Sequence, residues 1–270
     1  MVALDIDGTL VDHEGVLPER LRRTVRRIAM AGVPVILTTG RSWHATRPVF
    51  EELELPPGPA ISSNGAVTVQ FPPFELLTAA TFDPSEVIEK VLREHPSAAL
   101  AAEVVGTGYR VTRAFPDGEL LGDIEVVTAD ELAGDDVSRI VVRDPDASEH
   151  EFIALAERLG LHGVSYSVGW SAWLDIAPAG VNKATGLAGV VDALGFTASD
   201  VLAMGDGRND IEMLRWAGRG VALGDACAEV QAAADDVTGC FADGGTVAEL
   251  ERWFGRASSR PAEQLRVAVG

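Results

Sequence analysis

A chain of 270 residues with 47% hydrophobic and 23% charged side chains is too apolar for a disordered chain and long enough for one large domain, or for a core domain carrying a smaller insert. Its formal charge of -19 argues against nucleic acid as a partner, which needs clustered Lys and Arg, and requires local positive charge around any anionic substrate. Only Cys227 and Cys240 are present, no basic leader precedes Asp5, and no apolar run reaches membrane-span length, so the expectation is a cytoplasmic protein with no membrane partner.

The chain opens on the apolar VAL and passes at once into LDIDGTLVD, which places Asp5 and Asp7 two apart. The stretch ERLRRTVRRIAMAG then sets Leu21, Val25 and Ile28 at helical spacing among arginines, and reads as a helix over 18–31 with a solvated basic face. Gly32 stops that helix and Pro34 opens the strand VPVILTT. A helix over 43–53 and the run PAISSNGAVTV follow. Strands alternating with helices predict a parallel sheet with helices on its faces.

From Phe82 the texture changes. DPSEVIEKVLREH reads as a helix, ALAAEVV, YRVTRAF and SRIVVRD as strands, and ASEHEFIALAERLGLHG as a second helix ending near Gly160. SYSVGWSAWLDIAP reads as two strands joined at Gly169. Two helices with several neighbouring strands make an α+β module. After Pro178 the first texture returns, with a helix over 183–194, the strand VLAMGD, a helix over 209–217, the strand GVALG and a helix near CAEVQAAADD. The expected division is therefore a core from 1–81 and 179–270, interrupted by an inserted module over 82–178.

In open α/β sheets ligands bind at the carboxyl ends of the strands. Each such end here is polar: Asp5 and Asp7 after VAL, Thr38 to Arg41 after VPVIL, Ser62 to Gly65 after PAI, and Asp206 to Asp210 after VLAM. Residues two apart in an extended segment share a face, so Asp5 and Asp7 aim into one crevice. Four converging carboxylates oppose one another's ionisation, and a divalent cation relieves that; oxygen-only ligands suit Mg2+ completed by a substrate phosphate. Taken singly, Asp210 also fits a helix cap, Lys183 a solvated helix start, and Asn64 and Asn209 turns. No H-E-x-x-H, G-x-S-x-G or Walker lysine is present, which leaves zinc sites, serine hydrolases and P-loop NTPases unsupported.

In order, DIDGTLVD, TTGRS, GVNKATGL and GDGRNDIEML resemble the four motifs of the haloacid dehalogenase superfamily of phosphatases. The insert between SSNGA and GVNKATGL looks like the type-two cap of the Cof-like sugar-phosphatase branch. VALGDACAEVQAAADDVT is similar to that branch's C-terminal segment, although Leu223 and Asp225 stand where Met and Asn are usual. The resemblance implies an α/β fold, a Rossmann-like parallel-sheet core with an inserted α+β cap domain. It also implies a Mg2+-dependent phosphatase of small phosphorylated metabolites, sugar phosphates above all, working through an aspartyl-phosphate.

Carried onto this sequence, the resemblance makes Asp5 the nucleophile and Asp7 the general acid and base. Asp5, the backbone carbonyl of Asp7 and Asp206 hold Mg2+, with Asp210 supporting. Thr39, Gly40 and Lys183 receive the phosphate, the T-G-R register favouring Thr39 over Thr38, and Asn64 and Asn209 support the site. Arg41 either binds substrate or pairs with a core carboxylate. Trp170, Trp173 and Asp175, on the last strands of the cap, are candidates for substrate specificity. Rival readings are a phosphomutase of the same superfamily and a non-catalytic Mg2+-dependent metabolite-binding protein. A monomer and a homodimer both stay open, as does a disulfide between Cys227 and Cys240.

Overall fold

The computed structural model describes residues 1–159, 164–168 and 173–255. The first part of the chain runs through β1 (Val2–Leu4), α1 (Glu19–Met30), β2 (Val35–Leu37), α2 (Trp43–Glu52), β3 (Gly58–Ser62), β4 (Val67–Phe71) and β5 (Glu75–Ala79). The middle part comprises α3 (Ser85–Glu94), β6 (Ala99–Val104), β7 (Gly108–Val111), β8 (Asp123–Val126), α4 (Ala129–Leu132), β9 (Ile140–Arg143), α5 (Glu149–Leu159), β10 (Val164–Val168) and β11 (Trp173–Pro178). The last part adds α6 (Lys183–Ala193), β12 (Leu202–Gly205), α7 (Ile211–Trp216), β13 (Arg219–Ala222), α8 (Ala228–Ala233), β14 (Asp236–Val237) and α9 (Gly245–Phe254). Gly160 and Gly169 lie outside the described residues.

The core is a five-stranded parallel sheet in the order β14-β13-β12-β1-β2. Its central strands β1 and β12 are short and buried on both faces, which is why VAL and LAMG read as continuous apolar runs. One face packs Leu21, Val25 and Ile28 of α1, Phe50 of α2 and Leu250 of α9; the other packs Leu187 and Val191 of α6 and Met213 of α7. The arginines of α1 point outward and pair with acids: Arg22 with Glu19 at 2.7 Å and Glu54 at 2.5 Å, and Arg20 with Glu251 at 3.0 Å. They form a solvated face, as the periodicity predicts.

The run PAISSNGAVTV departs from the expected parallel strand. Ser63 and Asn64 adopt left-handed conformations with φ of 52° and 53°, which reverses the chain, so β3 and β4 pair antiparallel in a separate three-stranded sheet with β5. A single parallel bridge, Thr38 to Ile61, ties that sheet to the end of β2.

The inserted cap is built on a six-stranded sheet ordered β10-β11-β9-β6-β7-β8. Its alternation of side chains produces two unlike faces. Leu100, Ala102, Ile140, Val142, Leu174 and Ile176 pack against Val91 of α3 and Phe152 of α5, whereas Ala101, Tyr109, Val111 and Val141 cluster on the other face with Trp173. The fold is thus α/β, a parallel core sheet carrying an inserted cap of helices and strands. No described helix is long and apolar enough to cross a membrane.

Candidate active site

The carboxyl ends of β1, β2 and β12 meet at one place, and the chain extends each ladder just far enough to fix the residues there. The Asp5 N–H donates to the Met204 carbonyl at 3.0 Å, and the Thr38 N–H to the Leu4 carbonyl at 2.9 Å. Lys183 opens α6, where Asn182 caps the helix by accepting from the Thr185 N–H at 3.0 Å. This start directs the Lys183 ammonium, 1% exposed, between two carboxylates: it donates to Asp5 Oδ1 at 2.6 Å and to Asp210 Oδ1 at 2.7 Å. The other oxygen of Asp210 accepts the N–H groups of Asp206 at 3.1 Å and Gly207 at 2.9 Å, which shapes the loop after β12. Thr9 donates to Asp206 Oδ1 at 3.3 Å, and its own carbonyl accepts the Thr246 hydroxyl at 2.8 Å.

Two glycines make this convergence possible. Gly8 has φ of 74°, and a Cβ on it would stand 2.3 Å from Asp206 Oδ2. A Cβ at Gly205 would stand 2.3 Å from Asp210 Cγ. In both places the backbone occupies space that any side chain would take from a carboxylate.

Asp5, Asp206 and Asp210 each offer one oxygen within 4.8 Å of the others, a cluster able to hold a divalent metal. Its electrostatics favour one. Burial lifts the Asp5 carboxyl well above its usual range, Asp210 lifts it further against the pull of Lys183, and Asp206 and Asp7 add to the rise. Asp206 is pushed up to about 7 by burial and by Asp210, with Lys183 and the Thr9 hydroxyl opposing. Burial disfavours the charge of Lys183, but Asp210 and Asp5 more than offset that and hold it above the ordinary lysine value. Three carboxylates around one ammonium leave excess negative charge, and an all-oxygen set suits a hard divalent cation.

Asp7 is not one of this trio. Arg41 donates to both of its oxygens, from Nε at 2.9 Å and from Nη2 at 2.6 Å, the bidentate geometry that fixes a carboxylate plane. Arg41 thus pairs with a core carboxylate and at the same time lines the cavity between core and cap. Thr39 is fully buried, and its hydroxyl accepts the Arg41 N–H at 3.1 Å. Asn209 donates to Asn64 Oδ1 at 2.9 Å, and the Asn64 N–H donates to the Thr39 carbonyl at 3.0 Å. These two asparagines tie the loops after β12 and β3 to the loop after β2.

Above this floor lies a cavity of 410 Å³ between core and cap. Asp5, Asp7, Gly40, Arg41, Asp206 and Asn209 line its core side, whereas Thr39, Asn64, Lys183 and Asp210 are not among its lining residues. Tyr109, Glu119, Arg139, Trp173 and Asp175 line the cap side. Trp173 donates its indole N–H to Asp175 Oδ2 at 3.0 Å, so those two candidates act as a unit. Trp170 lies outside the described residues. Arg139, Tyr109 and Glu119 escaped the sequence reading, because they sit in ordinary strand and loop contexts with no motif around them. The nearest signal is a charged residue beside the apolar run of SRIVVRD. Cys227 and Cys240 are free thiols.

A family model described as haloacid dehalogenase-like hydrolase matches residues 2–250. The phosphoglycolate phosphatase of Natronomonas pharaonis is 31% identical over 247 residues, covering 90% of this chain and 93% of that protein. The pyridoxal phosphate phosphatase YbhA of Escherichia coli is 30% identical over 256 residues, covering 88% and 93%. The solved structure of a sugar phosphatase described as HAD subclass IIB has a TM-score of 0.77 at 23% identity, over 94% of this chain and 98% of that one, a likeness of fold.

Proposed function

Because the chain belongs to the haloacid dehalogenase-like hydrolase family, we propose that it is a Mg2+-dependent phosphatase that hydrolyses small phosphomonoesters, sugar phosphates among them, through an aspartyl-phosphate on Asp5. The observation that carries this reading is the Asp5 carboxylate held 2.6 Å from Lys183 at the end of β1, with Asp206 and Asp7 beside it at the floor of the cavity. The Cof-like branch and a type-two cap belong to the same proposal, supported by the place of the insert and by the fold likeness to subclass IIB. So does the division into a core of 1–81 and 179–270 and a cap of 82–178, since the strands of the parallel sheet come from the first and last parts and those of the six-stranded sheet from the middle.

In this mechanism Asp5 attacks phosphorus while the ester oxygen departs with a proton from Asp7. Asp7 then takes a proton from water, the water oxygen attacks phosphorus, and inorganic phosphate leaves Asp5 free again. Lys183 favours the ionised Asp5 that the attack requires. Arg41 holds the plane of Asp7, and the Thr39 hydroxyl and backbone N–H groups near Gly8 and Gly40 are the donors for phosphoryl oxygens. Mg2+, when bound by Asp5, Asp206 and the Asp7 carbonyl, with Asp210 holding the loop, supplies the charge neutralisation that an anionic substrate needs.

The test is release of inorganic phosphate from a panel of sugar phosphates, phosphoglycolate and pyridoxal phosphate. EDTA is expected to stop release and Mg2+ to restore it. The Mg2+ concentration for half-maximal activity is expected to rise as pH falls below about 7, because the raised affinity of Asp206 for a proton makes proton and metal compete there. Full activity in metal-free protein, or no release from any ester, would count against the reading.

A further inference from the structure

Three buried side chains of the cap stand in a row across neighbouring strands. Tyr109 is opposite Glu103, and Arg139 immediately precedes Ile140, which is opposite Ala102. Arg139 and Glu103 reach one short segment of the core, and Tyr109 braces Arg139. Arg139 donates from Nη1 to the Gly40 carbonyl and from Nη2 to the Tyr109 hydroxyl at 3.2 Å. Glu103 accepts the Trp43 N–H at 3.4 Å and the Ser63 hydroxyl. The Arg139 guanidinium lies 3.7 Å from Glu103 and 3.5 Å from Asp175, and it is 3% exposed.

The core grips the same segment from its other side, with the Ser63 N–H donating to the Arg41 carbonyl at 2.8 Å and the Asn64 N–H to the Thr39 carbonyl. Residues 39–43 are therefore held between the turn after β3 and the cap, and Arg41, in the middle, carries the two bonds to Asp7. A buried ion-paired arginine is a poor device for stability alone, since apolar packing does as well without the desolvation cost. Directed hydrogen bonds to a loop backbone do something apolar packing cannot, which is to fix where that loop lies.

We propose that Arg139 is a positioning residue for hydrolysis: by anchoring the Gly40 carbonyl from the cap it fixes Arg41, and through Arg41 the carboxylate of Asp7. The proposal rests on the phosphatase reading above. It separates from a general structural role in the first half of the reaction, where Asp7 must protonate an alkoxide leaving group but need not protonate a nitrophenolate.

The experiment compares wild-type protein with Arg139→Met, Arg139→Lys and Glu103→Gln on a simple alkyl phosphate and on nitrophenyl phosphate. In rapid-quench measurement of the first turnover, which reads ester cleavage before the aspartyl-phosphate is hydrolysed, Arg139→Met is expected to slow alcohol release from the alkyl ester roughly 10- to 100-fold and nitrophenolate release from the aryl ester less than about 3-fold. Arg139→Lys keeps the charge and one donor and is expected to recover part of the difference. Glu103→Gln keeps the shape and is expected to show the same ester dependence, more weakly; it carries the comparison if Arg139→Met does not fold. Equal losses on both esters in that first turnover, or no loss, in the folded variants would overturn the positioning role and leave the phosphatase reading standing. Wild-type protein that releases phosphate from neither ester would overturn both.

Discussion

Replacing Asp5 by Asn is expected to lower phosphate release by at least roughly ten-thousandfold, because removal of a nucleophile costs more than loss of any single orienting contact. The amide is nearly isosteric with the carboxylate, so substrate still reaches the cavity but finds no group able to bond phosphorus. Folding should survive the change. Asp5 is 4% exposed and shares its site with Asp206 and Asp210, so removing its charge relieves repulsion, while Lys183 keeps its bond to Asp210 at 2.7 Å. Thermal unfolding of the metal-free variant should occur no lower than in wild-type protein. Release of phosphate by the variant at a comparable rate would remove Asp5 from the chemistry.

Lys183→Met should damage fold and activity together. The ammonium is the one positive group bonded to both Asp5 and Asp210 among the described residues, and methionine fills much of the same space without a charge. Two buried carboxylates would then face each other with Asp206 alongside. Breaking a buried pair in this way typically costs about 3–5 kcal/mol. For a chain of this size that corresponds to a fall in Tm of roughly 10 °C. Calorimetry of the metal-free variant checks the value, and an unchanged Tm would mean that the carboxylates are not compensated by Lys183.

The parallel sheet and its polar strand ends were legible in the sequence for a local reason. Short strands buried on both faces appear as unbroken apolar runs, and a polar residue placed just after such a run is conspicuous. Asp5, Asp7, Thr39 and Asp206 all stand there. Lys183 was ambiguous by itself, because a lysine at a helix start is ordinarily solvated; only the 178-residue loop closure that brings it to Asp5 gives it a buried setting. Arg41 was undecided for the same reason, since its partner Asp7 lies 34 residues away.

Other features could not be read. The reversal at Ser63 and Asn64 depends on two non-glycine residues in left-handed conformations, which sequence alone rarely announces, and the edge strands β5 and β8 are exposed along their whole length, so they lack the alternation that marks a half-buried strand. The row formed by Arg139, Glu103 and Tyr109 exists only through sheet register. Each residue is unremarkable in its own strand. Their common target, the loop after β2, belongs to another sheet.

If the phosphoryl group passes through Asp5, Asp7→Asn isolates that step. A nitrophenyl ester can leave without a proton from residue 7, whereas hydrolysis of the aspartyl-phosphate still needs the missing base. Mixing this variant with nitrophenyl phosphate and Mg2+, quenching in acid and weighing the N-terminal peptide by mass spectrometry should reveal one phosphoryl group on Asp5, formed with a burst of one nitrophenolate per chain. Steady phosphate release without a burst, and with no phosphoryl group on that peptide, would contradict the covalent route.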